Sequence, residues 1–270
     1  MRKFSAFVKF VPLLSLSLVA NITEAQVNVT VVTDRGNIDP LVGFINSNFS
    51  NVGVITTGQF EDGPTGIGAT DVVVFSRITN SSSYATDAAE IDAWNGLSND
   101  VLLLSGFLLR NNLWGWVDNS TTTAPSSAGD ETTIVAASSL FDGVDTTGGA
   151  ADLYNIDGTE GDILRLVPTT GGLGGGMLLA SAGGDVALAT FAQGSSVADP
   201  GSVGQTTFGG DRIFFGMSNE GLITDLTSDG QKVLINSLES FGLEQVPEPS
   251  AYALIVGIFG LCAVVLRRRR

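Results

Sequence analysis

The 270-residue chain predicts an α/β fold: a mainly parallel sheet with helices on both faces, preceded by an N-terminal signal peptide and followed by a single C-terminal transmembrane helix. Three observations predict it. Short, continuous, β-branched apolar runs alternate with capped amphipathic helices, which is the pattern of strands buried on both faces. The start of the chain is basic and then apolar, and its end is apolar and then basic.

The elements follow in chain order. VNVTVVT (Val27 to Thr33) is strand-like. Asp39 and Pro40 then stand as N-cap and first helical position, with Leu41, Phe44, Ile45 and Phe49 on one helical face. NVGVITT (Asn51 to Thr57) predicts a second strand and DVVVFS (Asp71 to Ser76) a third, with GQFEDGPTGIGA as the loop between them. Asp87 and Glu90 cap a helix whose inner stripe is Ile91, Trp94 and Leu97. VLLLSG (Val101 to Gly106) is the fourth strand. Beyond Trp116 the pattern thins: DNSTTTAPSSAGDETT is a polar loop, and GTEGDILRLVPTTGGLGGGMLLAS reads as strands around a glycine-rich turn. VALATF (Val186 to Phe191) and RIFFGM (Arg212 to Met217) predict two more strands. Ser228 with Gln231 caps a last helix that turns Leu234, Leu238 and Phe241 inward.

The two ends determine where the body is expected to go. MRKFSAFVKF is basic, VPLLSLSLVA is apolar but too short for an ordinary span, and Thr23 and Ala25 offer small residues for cleavage before Gln26, so residues 1–25 read as a secretory signal peptide. A buried N-terminal helix is the other reading. Residues 246–270 hold Pro247-Glu248-Pro249, an uncharged apolar segment over 251–266, and Arg267, Arg268, Arg269 and Arg270. Sixteen helical residues cover about 24 Å, short of the roughly 30 Å hydrocarbon core, so this span needs snorkelling arginines or a thinned bilayer. Arginines after an apolar span stay on the cytoplasmic side, which puts the body, residues 26–245, outside.

Composition limits the chemistry. Arg2, Lys3, Lys9 and the four terminal arginines lie in the flanks with Glu24 and Glu248, leaving six basic and 26 acidic residues in the body, a net charge of −20. Such a body repels nucleic acid and anionic lipid. Cys262 is the one cysteine and lies in the apolar tail, so no disulfide framework exists. A core must carry the stability, and the body's 220 residues are enough to build one. The chain has no histidine, which removes Ser-His-Asp, Cys-His and ordinary zinc chemistry. A Ser-Lys pair would need Lys232, whose place on the outer face of the last helix points to a salt bridge or a solvated charge instead.

Carboxylates and aromatics remain. Asp142, Asp145, Asp152, Asp157, Glu160 and Asp162 crowd one polar segment. Hard oxygen ligands on a loop suit calcium, so Asp152, Asp157, Glu160 and Asp162 are the candidate metal set, with a solvated acidic loop as the other reading. The segment is not an EF-hand, because Leu153 and Leu164 occupy its first and twelfth positions. A carboxylate pair would also serve glycoside hydrolysis. GPTGIG and GGLGGG lack the lysine and the strand-turn-helix setting of a phosphate loop and read as turns. Ser105, Arg110, Trp114 and Trp116 follow the fourth strand, where parallel sheets bind ligands. An exposed tryptophan there stacks on a sugar, and a buried one packs the next element onto the sheet. No further cofactor is expected.

The tail's three ordered elements resemble the PEP-CTERM sorting signal of Gram-negative bacteria, also known as an ice-binding-protein C-terminal motif, although nothing in this chain indicates ice binding. The resemblance covers about the last twenty-five residues. It implies a partner exosortase that recognises Pro247, Glu248 and Pro249, cuts near them and passes the body to the cell surface or exopolysaccharide matrix, with the secretion machinery and signal peptidase acting earlier. A permanent single-span anchor has the same topology. The body resembles the flavodoxin-like, class I glutamine amidotransferase-like fold, particularly its ThuA-like branch, through the order of its early pieces and the closing VALATFAQG, GDRIFFGMSNEG and SDGQKVLINSLESFG. Where catalytic members of that family carry cysteine after the fourth strand, this chain has Ser105. The expected role is therefore a non-catalytic surface or matrix protein that binds polysaccharide or another surface component, the alternative being a secreted carbohydrate-active enzyme that uses a carboxylate pair.

Overall fold

A computed structural model describes residues 27–49, 64, 67–68, 71–84, 87–118, 124–126, 132–155, 164–168, 172–199, 204–218 and 223–245. The expected signal peptide, the tail with its sorting signal, the strand over Asn51 to Thr57, and Asp157, Glu160 and Asp162 lie outside these residues. Among the described residues no helix is long and apolar enough to cross a membrane.

The described elements are β1 (Val29–Val32), α1 (Pro40–Asn48), β2 (Val72–Phe75), α2 (Ala88–Gly96), β3 (Val101–Leu103), β4 (Ala124–Ser126), β5 (Thr132–Ile134), β6 (Ala150–Ala151), β7 (Leu164–Pro168), β8 (Met177–Ala182), β9 (Asp185–Phe191), β10 (Arg212–Phe215) and α3 (Ser228–Ser240), with short 3₁₀ turns between them. The main sheet runs β1-β2-β3-β10-β9-β8-β5-β6. The fold is α/β, and its sheet has two halves. β1, β2, β3 and β10 pair parallel, whereas β10–β9, β9–β8, β8–β5 and β5–β6 are antiparallel. The parallel sheet expected from the sequence is the first half. β7 pairs β9 at Val186 and Asp185, and β4 pairs β7, both antiparallel.

Strand alternation sorts the core onto two faces. Val29, Val31, Val72, Val74, Leu102, Ile213 and Phe215 meet α1 through Leu41, Val42 and Ile45 and α3 through Val233, Leu234 and Leu238. Val32, Val73, Phe75, Val101, Leu103 and Phe214 turn the other way and meet Ile91 and Trp94 of α2. Helices therefore cover both faces, as the doubly apolar strands require.

The helix starts follow local chemistry. Asp39 Oδ1 accepts the N–H of Leu41 at 2.9 Å with Pro40 at the first position of α1, and Asp87 Oδ1 accepts from Glu90 N at the start of α2. At α3 the cap is Thr227, whose hydroxyl accepts from Gly230 N. Ser228 is the first helical residue, which moves the expected cap by one position. Gly230 lets α3 approach closely, since a Cβ there would stand 2.1 Å from the carbonyl oxygen of Leu153.

Candidate functional site

The carboxyl ends of the four parallel strands each lead into a hydroxyl residue: Thr33 after β1, Ser76 after β2, Ser105 after β3 and Ser218 after β10. Three of these hydroxyls clasp carboxylates. Thr33 and Ser76 both donate to Asp39 Oδ2 at 2.6 Å, so the α1 cap also ties β1 to β2. Ser218 donates to Asp225. Asp39 and Asp225 are buried, and a buried carboxylate held by several donors is stabilised in place, as such groups must be. Ser105 differs. Its side chain is fully buried, and its hydroxyl has no hydrogen-bond partner among the described residues.

Cations gather at the same end. Arg35 lies exposed in the turn after β1, Arg77 follows Ser76 directly, and Arg110 lies beyond β3. The guanidinium carbons of Arg77 and Arg110 stand 4.2 and 4.7 Å from the centroid of the Phe107 ring, a geometry in which the negative ring face attracts both charges. Arg110 also donates to Ser81 Oγ at 3.2 Å. Beside it, Asn111 and Asn112 adopt φ of 52° and 56°, a left-handed conformation that asparagine tolerates better than most side chains. The opposite ends of the strands are acidic: Asp71, Asp100 and Asp211 immediately precede β2, β3 and β10.

Of the residues singled out from the sequence, Ser105 and Arg110 lie at this end. Trp114 and Trp116 require a correction. Both are 1 % exposed or less, so neither offers a face to a sugar. Trp114 Nε1 donates to Tyr84 O at 2.8 Å and Trp116 Nε1 to Asn95 Oδ1 at 2.7 Å. The rings pack with Phe75, Trp94, Phe191 and Phe208. Gly115, at φ 68° between them, provides the turn that sends both indoles inward. Arg77 and Phe107 escaped the sequence reading, although each lies within four residues of the end of an apolar run. Their meeting depends on β2 and β3 being parallel neighbours.

Of the candidate metal set only Asp152 is among the described residues. Asp152 is exposed, and its carbonyl oxygen accepts the Thr227 hydroxyl. Asp145 accepts from the Thr147 hydroxyl and N–H, which hold its carboxyl below its usual range. Among the described residues no group of three or more His, Cys, Asp or Glu side chains gathers. Lys232 pairs with Asp229 at 2.9 Å and donates to Gly143 O, as its outward position led one to expect. The described part of GGLGGG, Gly172 to Gly176, holds a turn at Gly174 and Gly175: a Cβ on Gly174 would meet Ala198 N and Ser196 O at 2.7 Å, and one on Gly176 would meet the Phe191 ring at 2.3 Å.

At the acidic end, Arg212 is 1 % exposed. It donates to the carbonyl oxygens of Leu97 at 2.5 Å, Asn99 at 2.6 Å and Asn95 at 3.1 Å, closing the carboxyl end of α2. Burial lowers its pKa to about 10, against the opposing pull of Asp100 and Asp211. Asp100 Oδ1 accepts Asp211 N at 2.9 Å. Desolvation, with Asp211 nearby, raises the Asp100 carboxyl above its usual range.

No family model and no curated protein matches the chain. Among solved structures, a cytoplasmic protein from Salmonella typhimurium is similar to it at 10% identity and a TM-score of 0.47, over 79% of this chain and 98% of that one. A likeness of that strength carries no argument here.

Proposed function

We propose that the chain is an exported bacterial surface or exopolysaccharide-matrix protein, sorted by a PEP-CTERM/exosortase system, whose body binds or builds rather than catalyses. One observation carries this reading: the ordered succession of Pro247-Glu248-Pro249, a charge-free apolar segment and four arginines. Two prolines keep the recognition stretch extended and unable to continue the helix, a form a protease can grip. The absence of histidine and of any cysteine outside the apolar tail supports a non-catalytic role. The parallel strands β1, β2, β3 and β10 with helices on both faces support a degenerate amidotransferase-like body. The test is expression in a bacterium with and without its exosortase. The proposal expects the body at the cell surface or in the matrix only when the exosortase is present, and identical fractionation in both strains would refute it.

One observation favours the second reading, a secreted carbohydrate-active enzyme. Asp100 and Asp211 lie together, and the Asp100 carboxyl is raised, as a general acid requires. Hydrolysis of matrix polysaccharide that is abolished by Asp100→Asn would replace the first reading with this one.

A further inference from the structure

The proposed binding role leaves the ligand's chemistry open, and the distribution of charge narrows it. Of the six cations in the body, three (Arg35, Arg77 and Arg110) lie at the carboxyl end of the parallel strands. The acids that lead into β2, β3 and β10 lie at the other end. Among the described acids near the cationic end, Asp39 and Asp225 are engaged by hydroxyls, Asp34 accepts the N–H of Asn80 at 2.7 Å and Asp199 accepts from Asn112 Nδ2 at 2.7 Å. Two guanidiniums on one aromatic ring concentrate positive charge, and the planar fork of arginine matches the oxygens of a carboxylate or phosphate.

We infer that the Arg77–Phe107–Arg110 cluster binds a single oxyanion group carried on an otherwise neutral, hydroxyl-rich molecule such as a sugar acid or sugar phosphate. Arg110 and Phe107 are partly exposed and present the site. Arg77, 5% exposed, supplies a fixed charge behind them. β2 and β3 run in register through Phe75 and Leu103, and Leu104 N still bonds Phe75 O. Ser105, with its unspent hydroxyl, therefore comes beside the Ser76–Arg77 segment. The body's net charge of −20 disfavours a polyanion at long range, which is why one charged group on a neutral carrier fits and a densely charged polymer does not. The inference rests on the proposed non-catalytic binding role.

The test uses the full chain in a neutral detergent, titrated with glucuronate, glucose 6-phosphate, glucose and inorganic phosphate. Glucuronate and glucose 6-phosphate are expected to bind, more weakly as salt rises, and glucose is expected to bind less well than either. Arg110→Gln should weaken the two sugar oxyanions about tenfold, the factor one charge-assisted hydrogen bond supplies. Arg110→Lys, which keeps the charge and loses the fork, should recover part of that loss, and Lys232→Gln should change nothing. Circular dichroism of each variant confirms that it is folded. Failure of both sugar oxyanions to bind, or binding indifferent to Arg110→Gln, overturns the inference. Glucose binding as tightly as glucuronate overturns it too, while leaving the polysaccharide-binding reading intact. Inorganic phosphate binding as tightly as glucose 6-phosphate, and equally sensitive to Arg110→Gln, upholds the oxyanion site and removes polysaccharide as its ligand.

Discussion

The two faces of the sheet are held by different chemistry. On the α2 face, Phe75, Tyr84, Trp94, Trp114, Trp116, Phe191, Phe208 and Phe214 are buried together. Phe75 meets Trp94 and Trp114 edge-on with centroids 4.9 Å away, the arrangement the ring quadrupole favours. The polar tips of this cluster are spent within it: Trp116 bonds Asn95, and Asn95 Nδ2 in turn bonds Trp114 O at 2.9 Å. The α1 and α3 face is built mainly from Val, Leu, Ile and Ala and relies on volume and shape. One face is a directional network and the other a packed aliphatic layer, and substitutions should distinguish them.

The largest expected effect is on the aromatic face. Trp116→Ala removes a fully buried indole and leaves Asn95 Oδ1 without its donor, so a loss of about 4 kcal/mol is expected in denaturant unfolding. Trp116→Phe restores much of the volume but not the hydrogen bond. If it proves neutral, the bond to Asn95 has no weight and the contrast between the faces fails. On the aliphatic face, Leu234→Ala, at a fully buried site of α3, should cost about 3 kcal/mol. Here Leu234→Met should recover most of the loss, because the volume is nearly conserved. A smaller gain is expected at Gly43, exposed in α1 with nothing within 4 Å of a Cβ. Gly43→Ala should stabilise by about 0.7 kcal/mol, read as a raised denaturation midpoint at unchanged slope.

The smallest effect tests the acidic end and depends on pH. Desolvation raises the Asp100 carboxyl above its usual 3.8. The folded chain therefore holds that proton more tightly than the unfolded one, and the stability this supplies at low pH is lost as pH rises through the folded value. Asp100→Asn does not titrate and still offers an oxygen to Asp211 N. Relative to the natural chain it should gain a few tenths of a kcal/mol at pH 7, discounted for solvent screening of a half-exposed group, and the gain should vanish below the unfolded value. A gain that persists at pH 3 contradicts this account of Asp100.

The parallel half of the sheet was legible because its residues carry their own signal. Val72–Phe75 and Val101–Leu103 are continuous apolar runs, Val29–Val32 is β-branched throughout, and Asp39-Pro40 and Asp87 announce the helices that follow β1 and β2. β5 and β6, Thr132–Ile134 and Ala150–Ala151, are too short and too mixed to show a period. They form because β8 offers β5 an edge, a fact settled by tertiary structure. At the candidate site, Ser105 and Arg110 were found by their position after β3. Arg77 and Phe107 were not, because nothing local says that β2 and β3 are neighbours. For the tryptophans the packing alternative holds and the sugar-stacking one does not: a Trp pair after a strand end carries no local sign of direction, which is settled where Gly115 takes φ 68° and both indoles enter the core.

The central claim, that this chain is exported and released by cleavage at its tail, is tested most directly by the intact mass of the protein recovered from the envelope and matrix of a bacterium carrying an exosortase. The account predicts a species that begins at Gln26 and ends near Pro247 to Pro249. A species that retains the apolar segment and Arg267 to Arg270 would contradict it and leave a membrane-anchored protein in its place.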